Sequence, residues 1–365
     1  MAGRRKAGLR RGWTTGACAA AASRAAYAAL LTGAFPDPVA IRLPGGQVPS
    51  FPLALAERRG DAARAGIVKD AGDDPDVTHG ALIVAEVAPA APGSGIAFAA
   101  GEGVGTVTRA GLPLGVGEPA INPAPRAMIR AALADLAEEN GAPPPDLTVT
   151  IAIPGGERLA EKTMNARLGI VGGLSVLGTT GIVVPFSCAS WIHSIHRGID
   201  VARAAGLEHI AAATGSTSER AVQALYGLPD HALIDMGDFA GGMLKYLCRR
   251  PVPRLTLAGG FAKMVKLAAG HLDLHSSRSR VDATLLGDVL AELGAEPDLA
   301  AAARRADSAG AVLEIAAPWR NALADRIARR ARAVALATLS GHTAVEVAIV
   351  DRAGQFLARV GDGGG

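Results

Sequence analysis

The chain has 365 residues, 49% of them hydrophobic, and 37 Lys and Arg against 34 Asp and Glu leave a formal net charge of only +3. That length suits two domains with sizeable cores, and the lack of any long run of one sign argues against a nucleic-acid partner. Cys18, Cys188 and Cys248 are far apart and form no CxxC pair, so reduced thiols fit and a zinc site does not.

Near the N-terminus Arg10-Arg11 precedes an alanine-rich stretch, and Thr-Gly-Ala-Cys ends at Cys18. Both look like export signals, but Thr14, Thr15, Ser23 and Arg24 interrupt any apolar core of signal length. No apolar run approaches the roughly 20 residues of a membrane span. A cytoplasmic protein with no membrane partner is expected.

In chain order, residues 15–31 read as an alanine-rich helix, capped by Thr14 or Thr15 and ended by Gly33. Strands are expected over 39–43, 66–69 and 81–87, a helix over 125–139 stopped by Asn140-Gly141, and a strand over 147–153 with period-two alternation. Beyond that, helix 191–205, strand 209–214, helix 218–225, strand 232–236, helix 239–248, strand 254–257 and helix 262–269 alternate with short connections. Three successive strand–helix units predict a parallel, helix-flanked sheet. Residues 281–342 read as Ala- and Arg-rich helices and 345–360 as a hairpin. The fold class expected is two-domain α/β: an N-terminal α+β domain over 1–155 and a three-layer Rossmann-like parallel-sheet domain over 156–365.

Chemistry concentrates in four places. Gly169, Gly172, Gly173, Ser175, Gly178, Thr179, Thr180 and Gly181 combine bare backbone with hydroxyls and lack the Gly-Lys-Ser/Thr ending of a nucleoside-triphosphate loop. They either cradle a cofactor or serve tight turns and packing. Thr214 and Gly215 end the first parallel strand, and Asp235 ends the second at a separation suited to accepting ribose hydroxyls. Asp238 just beyond is better placed to cap a helix. The run from Asp70 through Asp73, Asp74 and Asp76 to His79 crowds four carboxylates and an imidazole. If buried, one carboxylate there would hold a proton near neutral pH, and Asp73, Asp74 and His79 are the acid–base candidates. The same run is good turn chemistry. Lys263 and Lys266 share a helix face, with His271, His275, Arg278 and Arg280 following, and suit a polycarboxylate ligand or a solvated basic face equally. His193 and His196 lie three apart on a helix without further ligands, so packing or surface positions are expected rather than metal binding.

Five segments in order, GWTTGACAAAASRAA (12–26), DAGDDPDVTHG (70–80), GEGVGTVTRAGLPLGVGEPAINPAPRAMI (101–129), IPGGERLAEKTMNARLGIVGGLSVLGTTGIV (153–183) and GGFAKMVKLAAGHLDLHS (259–276), together resemble the cobalt-precorrin-5B (C1)-methyltransferase family, of CbiD type. The resemblance runs from about residue 9 to residue 280. Ala166 stands where proline is common in that family, Ser216-Thr217 where Gly-Arg is, and Asp273-Leu274 where Asn-Thr is. What it implies is transfer of a methyl group from S-adenosyl-L-methionine to ring carbon C1 of cobalt-precorrin-5B, giving cobalt-precorrin-6A, in the anaerobic route to cobalamin. The substrate brings its own cobalt, so no protein metal site is needed. Thr14 and Thr15, in the first shared segment, join Lys263, Lys266 and His275 as candidate contacts to this polycarboxylate tetrapyrrole. A homo-oligomer is allowed but not required. Rival readings are another tetrapyrrole-modifying enzyme, a non-catalytic corrinoid-binding protein, and a nicotinamide-dependent reductase, the last opposed by the missing Gly-x-Gly-x-x-Gly spacing at 214–218.

Overall fold

The computed structural model describes residues 8–276, 278–279, 281–339, 341 and 343–361, so Arg280 of the basic cluster lies outside the described residues. The chain is a mixed α/β protein that divides into two compact units, Met1–Ser187 and Cys188–Gly365.

The first unit carries strands β1 (Gly12–Trp13), β2 (Val39–Ala40), β3 (Ser50–Phe51), β4 (Leu55–Arg59), β5 (Ala62–Val68), β6 (Leu82–Pro89), β7 (Ile96–Ala100), β8 (Thr106–Val107), β9 (Leu147–Ala152), β10 (Ile170–Val171) and β11 (Ile182–Val183), with helices α1 (Thr15–Thr32), α2 (Pro123–Glu139) and α3 (Gly156–Ala160). Its main sheet has the order β4-β5-β6-β9-β7, antiparallel except where β7 runs parallel to β9. Helix α1 is buried on nearly every side. An alanine helix can do this because methyl side chains let α2, β5 and β6 approach its backbone closely. Thr14 caps it, its hydroxyl accepting from the Ala17 N–H at 3.2 Å, and Gly33 ends it in the left-handed conformation at φ 81°.

The boundary between units falls after Ser187 rather than at 155/156 because the glycine-rich segment pairs backward. Strand β10 pairs with β8, and β11 with β1. Pairs this short leave no periodic signature in the sequence.

The second unit carries α4 (Cys188–Ala204), β12 (His209–Ala213), α5 (Ser216–Tyr226), β13 (Leu233–Asp235), α6 (Ala240–Arg249), β14 (Arg254–Gly260), α7 (Phe261–Ala268), α8 (Ala283–Glu292), α9 (Pro297–Arg304), α10 (Ala309–Ile315), α11 (Arg320–Leu339), β15 (Ala344–Val350) and β16 (Phe356–Val360). The sheet order is β13-β12-β14-β15-β16, with the first four strands parallel and β16 antiparallel to β15. The terminal hairpin is therefore also part of the main sheet. One face of the sheet, through Ile210, Ile234, Leu257 and Val347, meets a large core with α4, α6, α7 and α11. The other face, through Ala211, Ala213, Ala258 and Ala348, packs on Val222 of α5.

Candidate functional site

The acidic loop of the first unit joins β5 to β6. Its base is closed by the Lys69 N–H to the Ala81 carbonyl at 2.9 Å and the Gly80 N–H to the Lys69 carbonyl at 2.8 Å. The Lys69 side chain, 1% exposed, reaches Asp76 Oδ2 at 2.5 Å, while Asp76 Oδ1 accepts from the Thr78 N–H and hydroxyl at 2.7 and 2.6 Å. Burial alone would raise the Asp76 pKa, but Lys69 and these hydrogen bonds outweigh it and hold the carboxyl below its usual value. The Arg10 guanidinium grips Asp70 through two hydrogen bonds, and with the Gly72 N–H it brings Asp70 down to about 2. Asp73 accepts from the Arg10 backbone N–H at 2.6 Å, and Asp74 from the Phe186 N–H at 2.8 Å.

The expectation that crowding would leave a protonated carboxylate here is overturned at Asp70 and Asp76. Each acidic group has its own donor, and at Asp70 and Asp76 that donor is a cation. His79 is exposed, and its Nδ1 accepts from the Ala71 N–H at 3.1 Å. A backbone N–H can only donate, so the neutral ring carries its hydrogen on Nε2.

The glycine segment is filled by protein. A Cβ at Gly169 would meet the Arg109 side chain, one at Gly173 the Gly103 carbonyl oxygen, one at Gly178 the Thr14 hydroxyl, and one at Gly181 the Leu43 side chain. Backbone bonds seal the contact: Leu174 N–H to Gly103 O at 2.9 Å, Gly16 N–H to Leu177 O at 2.8 Å and Thr14 N–H to Gly181 O at 2.9 Å. Ser175 is buried and donates to Asn165 Oδ1 at 3.3 Å, while the Asn165 amide donates to the Gly173 carbonyl at 3.1 Å. Gly172 faces open space, and the Thr180 hydroxyl accepts from the Ile182 N–H in a local turn. Thr179 lines an open cleft of about 440 Å³ with Arg42, Leu43, Pro44, Ala124, Ala127 and Met128. The glycines at 169, 173, 178 and 181 thus admit neighbouring chain where a Cβ would stand. Thr14 and Thr15, 9% and 6% exposed, are buried at the start of α1, which Thr14 caps.

In the second unit, the C-terminal ends of β12, β13 and β14 form an edge of different character. The Thr214 N–H bonds the Ala258 carbonyl at 2.9 Å, and the Met236 and Gly237 N–H groups both reach the Ala213 carbonyl, at 3.0 and 3.2 Å. This sets Gly215, Asp235 and Gly237 side by side. Gly215 starts α5 from extended backbone, and a Cβ there would meet nothing within 4 Å, as is true at Gly260 where α7 starts. Asp235 is half-buried at the strand end. Beside it lies Trp191, 46% exposed, whose indole N–H donates to the Asp235 carbonyl at 3.1 Å. Sequence reasoning missed Trp191, because position 191 is simply an early residue of a helix until the fold brings it to the sheet edge.

The basic pair is internal too. Lys263 pairs with Asp238 and donates to the Leu274 carbonyl at 3.2 Å, and Lys266, 5% exposed, donates to the same carbonyl at 2.9 Å. Burial, and then the neighbouring Lys263 charge, lower the Lys266 pKa. Instead of a solvated cationic face, α7 clamps the 271–275 loop, and Asp238 is an ion-pair partner. His275 and Arg278 stay exposed, Arg278 pairing with Asp273 at 2.7 Å. His196 stacks on Tyr246 with ring centroids 3.9 Å apart, the packing role expected of it. Among the described residues no His, Cys, Asp and Glu cluster could hold a metal ion, and no helix is long and apolar enough to cross a membrane.

Comparison with known proteins gives two matches to family models, CbiD over residues 2–185 and the CbiD C-terminal domain over residues 273–361. The chain belongs to the CbiD family. The CbiD-family relative from Bradyrhizobium sp. is 62% identical over 96% of this chain and 93% of its own, and that from Brucella anthropi is 59% identical over 97% and 96%. Both are named cobalt-precorrin-5B C(1)-methyltransferase. Among solved structures, a cobalamin biosynthesis protein (cbiD) from Archaeoglobus fulgidus shares 29% identity at a TM-score of 0.41, covering 74% of this chain and 83% of that one. The acidic loop and glycine segment lie inside the first CbiD match, and the sheet edge with Gly215 and Asp235 lies between the two.

Proposed function

We propose that this CbiD-family protein is a cytoplasmic cobalt-precorrin-5B C1-methyltransferase, transferring a methyl group from S-adenosyl-L-methionine to ring carbon C1 and releasing cobalt-precorrin-6A in anaerobic cobalamin biosynthesis. The observation that carries the reading is 62% identity across nearly the whole of both chains to a relative of that name.

The donor is assigned to the Rossmann-like edge of the second unit. Open space at Gly215 and Gly260, two helices starting there, and a carboxylate at the end of β13 fit an adenosyl group. When bound, S-adenosyl-L-methionine supplies an electrophilic methyl carbon on a sulfonium. Asp235 would accept hydrogen bonds from the ribose hydroxyls, while the backbone at Gly215 leaves room for the donor. Asp73, Asp74 and His79 stay the candidate acid–base groups, all three on the acidic loop of the first unit. The ring's own conjugated electrons form the new bond, so the protein's main work is alignment, which can supply roughly 7–11 kcal/mol of the barrier.

The test is anaerobic incubation with cobalt-precorrin-5B and methyl-labelled donor, followed by location of the label. Label at C1 is the expected result. Label at another ring carbon would make this a different tetrapyrrole methylase, and no transfer would leave a corrinoid-binding protein.

A further inference from the structure

We propose that Trp191 is the platform on which the adenine ring of the methyl donor stacks. The inference rests on the reading that the donor binds at the sheet edge of the second unit, and it names how the base is held there.

Four observations converge. The first is exposure: Trp191 keeps 46% of its surface in solvent, so part of the indole is free to be covered by a ligand. The second is position. Its indole N–H is bonded to the carbonyl of Asp235, and a Cβ built on the neighbouring Gly237 would come within 3.4 Å of the indole nitrogen. The ring thus stands at the end of β13, bonded to the backbone of the residue whose carboxylate is proposed to hold the ribose. The third is rigidity. With the N–H committed and Phe239 packed at 6.4 Å between centroids, the ring is already oriented, so little side-chain entropy is lost when a flat ligand lands on it. The fourth is chemistry: an indole face offers dispersion and quadrupole contact to any aromatic base and no hydrogen bond, since its one donor is used. A purine attached to a ribose satisfies both the ring and the adjacent carboxylate, whereas the methionine end of the donor offers nothing flat.

The experiment titrates the full-length protein with S-adenosylhomocysteine, following calorimetry and tryptophan fluorescence together. In the native protein binding is expected to quench emission. Trp191→Phe, which keeps a flat ring, should retain affinity within about threefold and lose most of the quench, because Trp13 and Trp319 remain. Trp191→Leu, apolar but without a π face, should weaken binding about tenfold or more. Thermal unfolding of each variant separates loss of a platform from loss of the fold. Equal affinity in the Leu and Phe variants, or a quench that survives Trp191→Phe, overturns the proposal while leaving the donor reading intact. Calorimetry showing no binding to the native protein would sink the donor reading itself, and the adenine platform with it.

Discussion

At Gly173 and Gly215 two glycines of identical appearance in the sequence have opposite jobs. A Cβ on Gly173 would overlap the Gly103 carbonyl oxygen, whereas one on Gly215 meets nothing within 4 Å. Gly173→Val should therefore cost about 3 kcal/mol of stability, as overpacking against backbone does, with whatever folds still binding donor normally. Gly215→Val should leave the melting temperature within a degree or two of the native value and weaken S-adenosylhomocysteine binding about tenfold, measured by calorimetry. The reverse pattern would return the donor to the 169–181 segment. The sequence marked both stretches as candidates, because it shows where backbone is bare. It does not show what presses on that backbone. For the same reason Asp70 through His79 was legible as a cluster, but not its state of charge. The compensating groups, Arg10 and Lys69, become partners only through the fold.

Among the elements, those long enough to show a period were legible: α1, α2, β6, β9 and the alternating units from α4 to α7 all lie where hydrophobic spacing put them. The expected strand 39–43 shrinks to β2, and β4 and β7 went unread. Strand β4, Leu-Ala-Glu-Arg-Arg, is an edge strand whose two arginines and glutamate hide its alternation, and β7 pairs in parallel at the other edge. The loop between β5 and β6 is legible in the sequence as an acid–base cluster or as turn chemistry, and its hidden strut is the Lys69–Asp76 pair. Asp76→Ala leaves Lys69 buried without a counter-charge. The expected loss is about 2–3 kcal/mol, below that of a fully dry pair because Asp76 keeps 26% exposure. Chemical denaturation of the variant checks it. The double change Lys69→Met with Asp76→Ala should recover most of the loss, and equal destabilisation of single and double variants would mean that the ion pair is not the strut.

For the whole molecule, lowered carboxylates occur in both units but the lowered histidines, His196 and His209, lie in the second, so the two meet acid differently. In the second unit His209 is lowered by burial and then by Arg254, and its Nε2 lies 2.8 Å from the Thr256 hydroxyl, which donates to buried Glu346. His196, stacked on Tyr246, is lowered mainly by burial. A histidine depressed in the fold is neutral there while the unfolded chain, at about 6.5, already takes up a proton. The stability it contributes is complete above that pH and is lost as pH falls through the folded value. Among the shifted acids of the first unit, those on the loop between β5 and β6 are Asp70, held near 2 by Arg10, and Asp76, held down by Lys69. Their contribution is present above about 3.9, the unfolded value, and is lost only below it. Hydrogen exchange corrected for intrinsic rate should therefore show β12 and β14 losing protection as pH falls below about 6.5, while β5 and β6 hold until below about pH 4. If β5 and β6 open first, the buried histidines are not what makes this protein acid-sensitive, and charge repulsion elsewhere in the first unit governs instead.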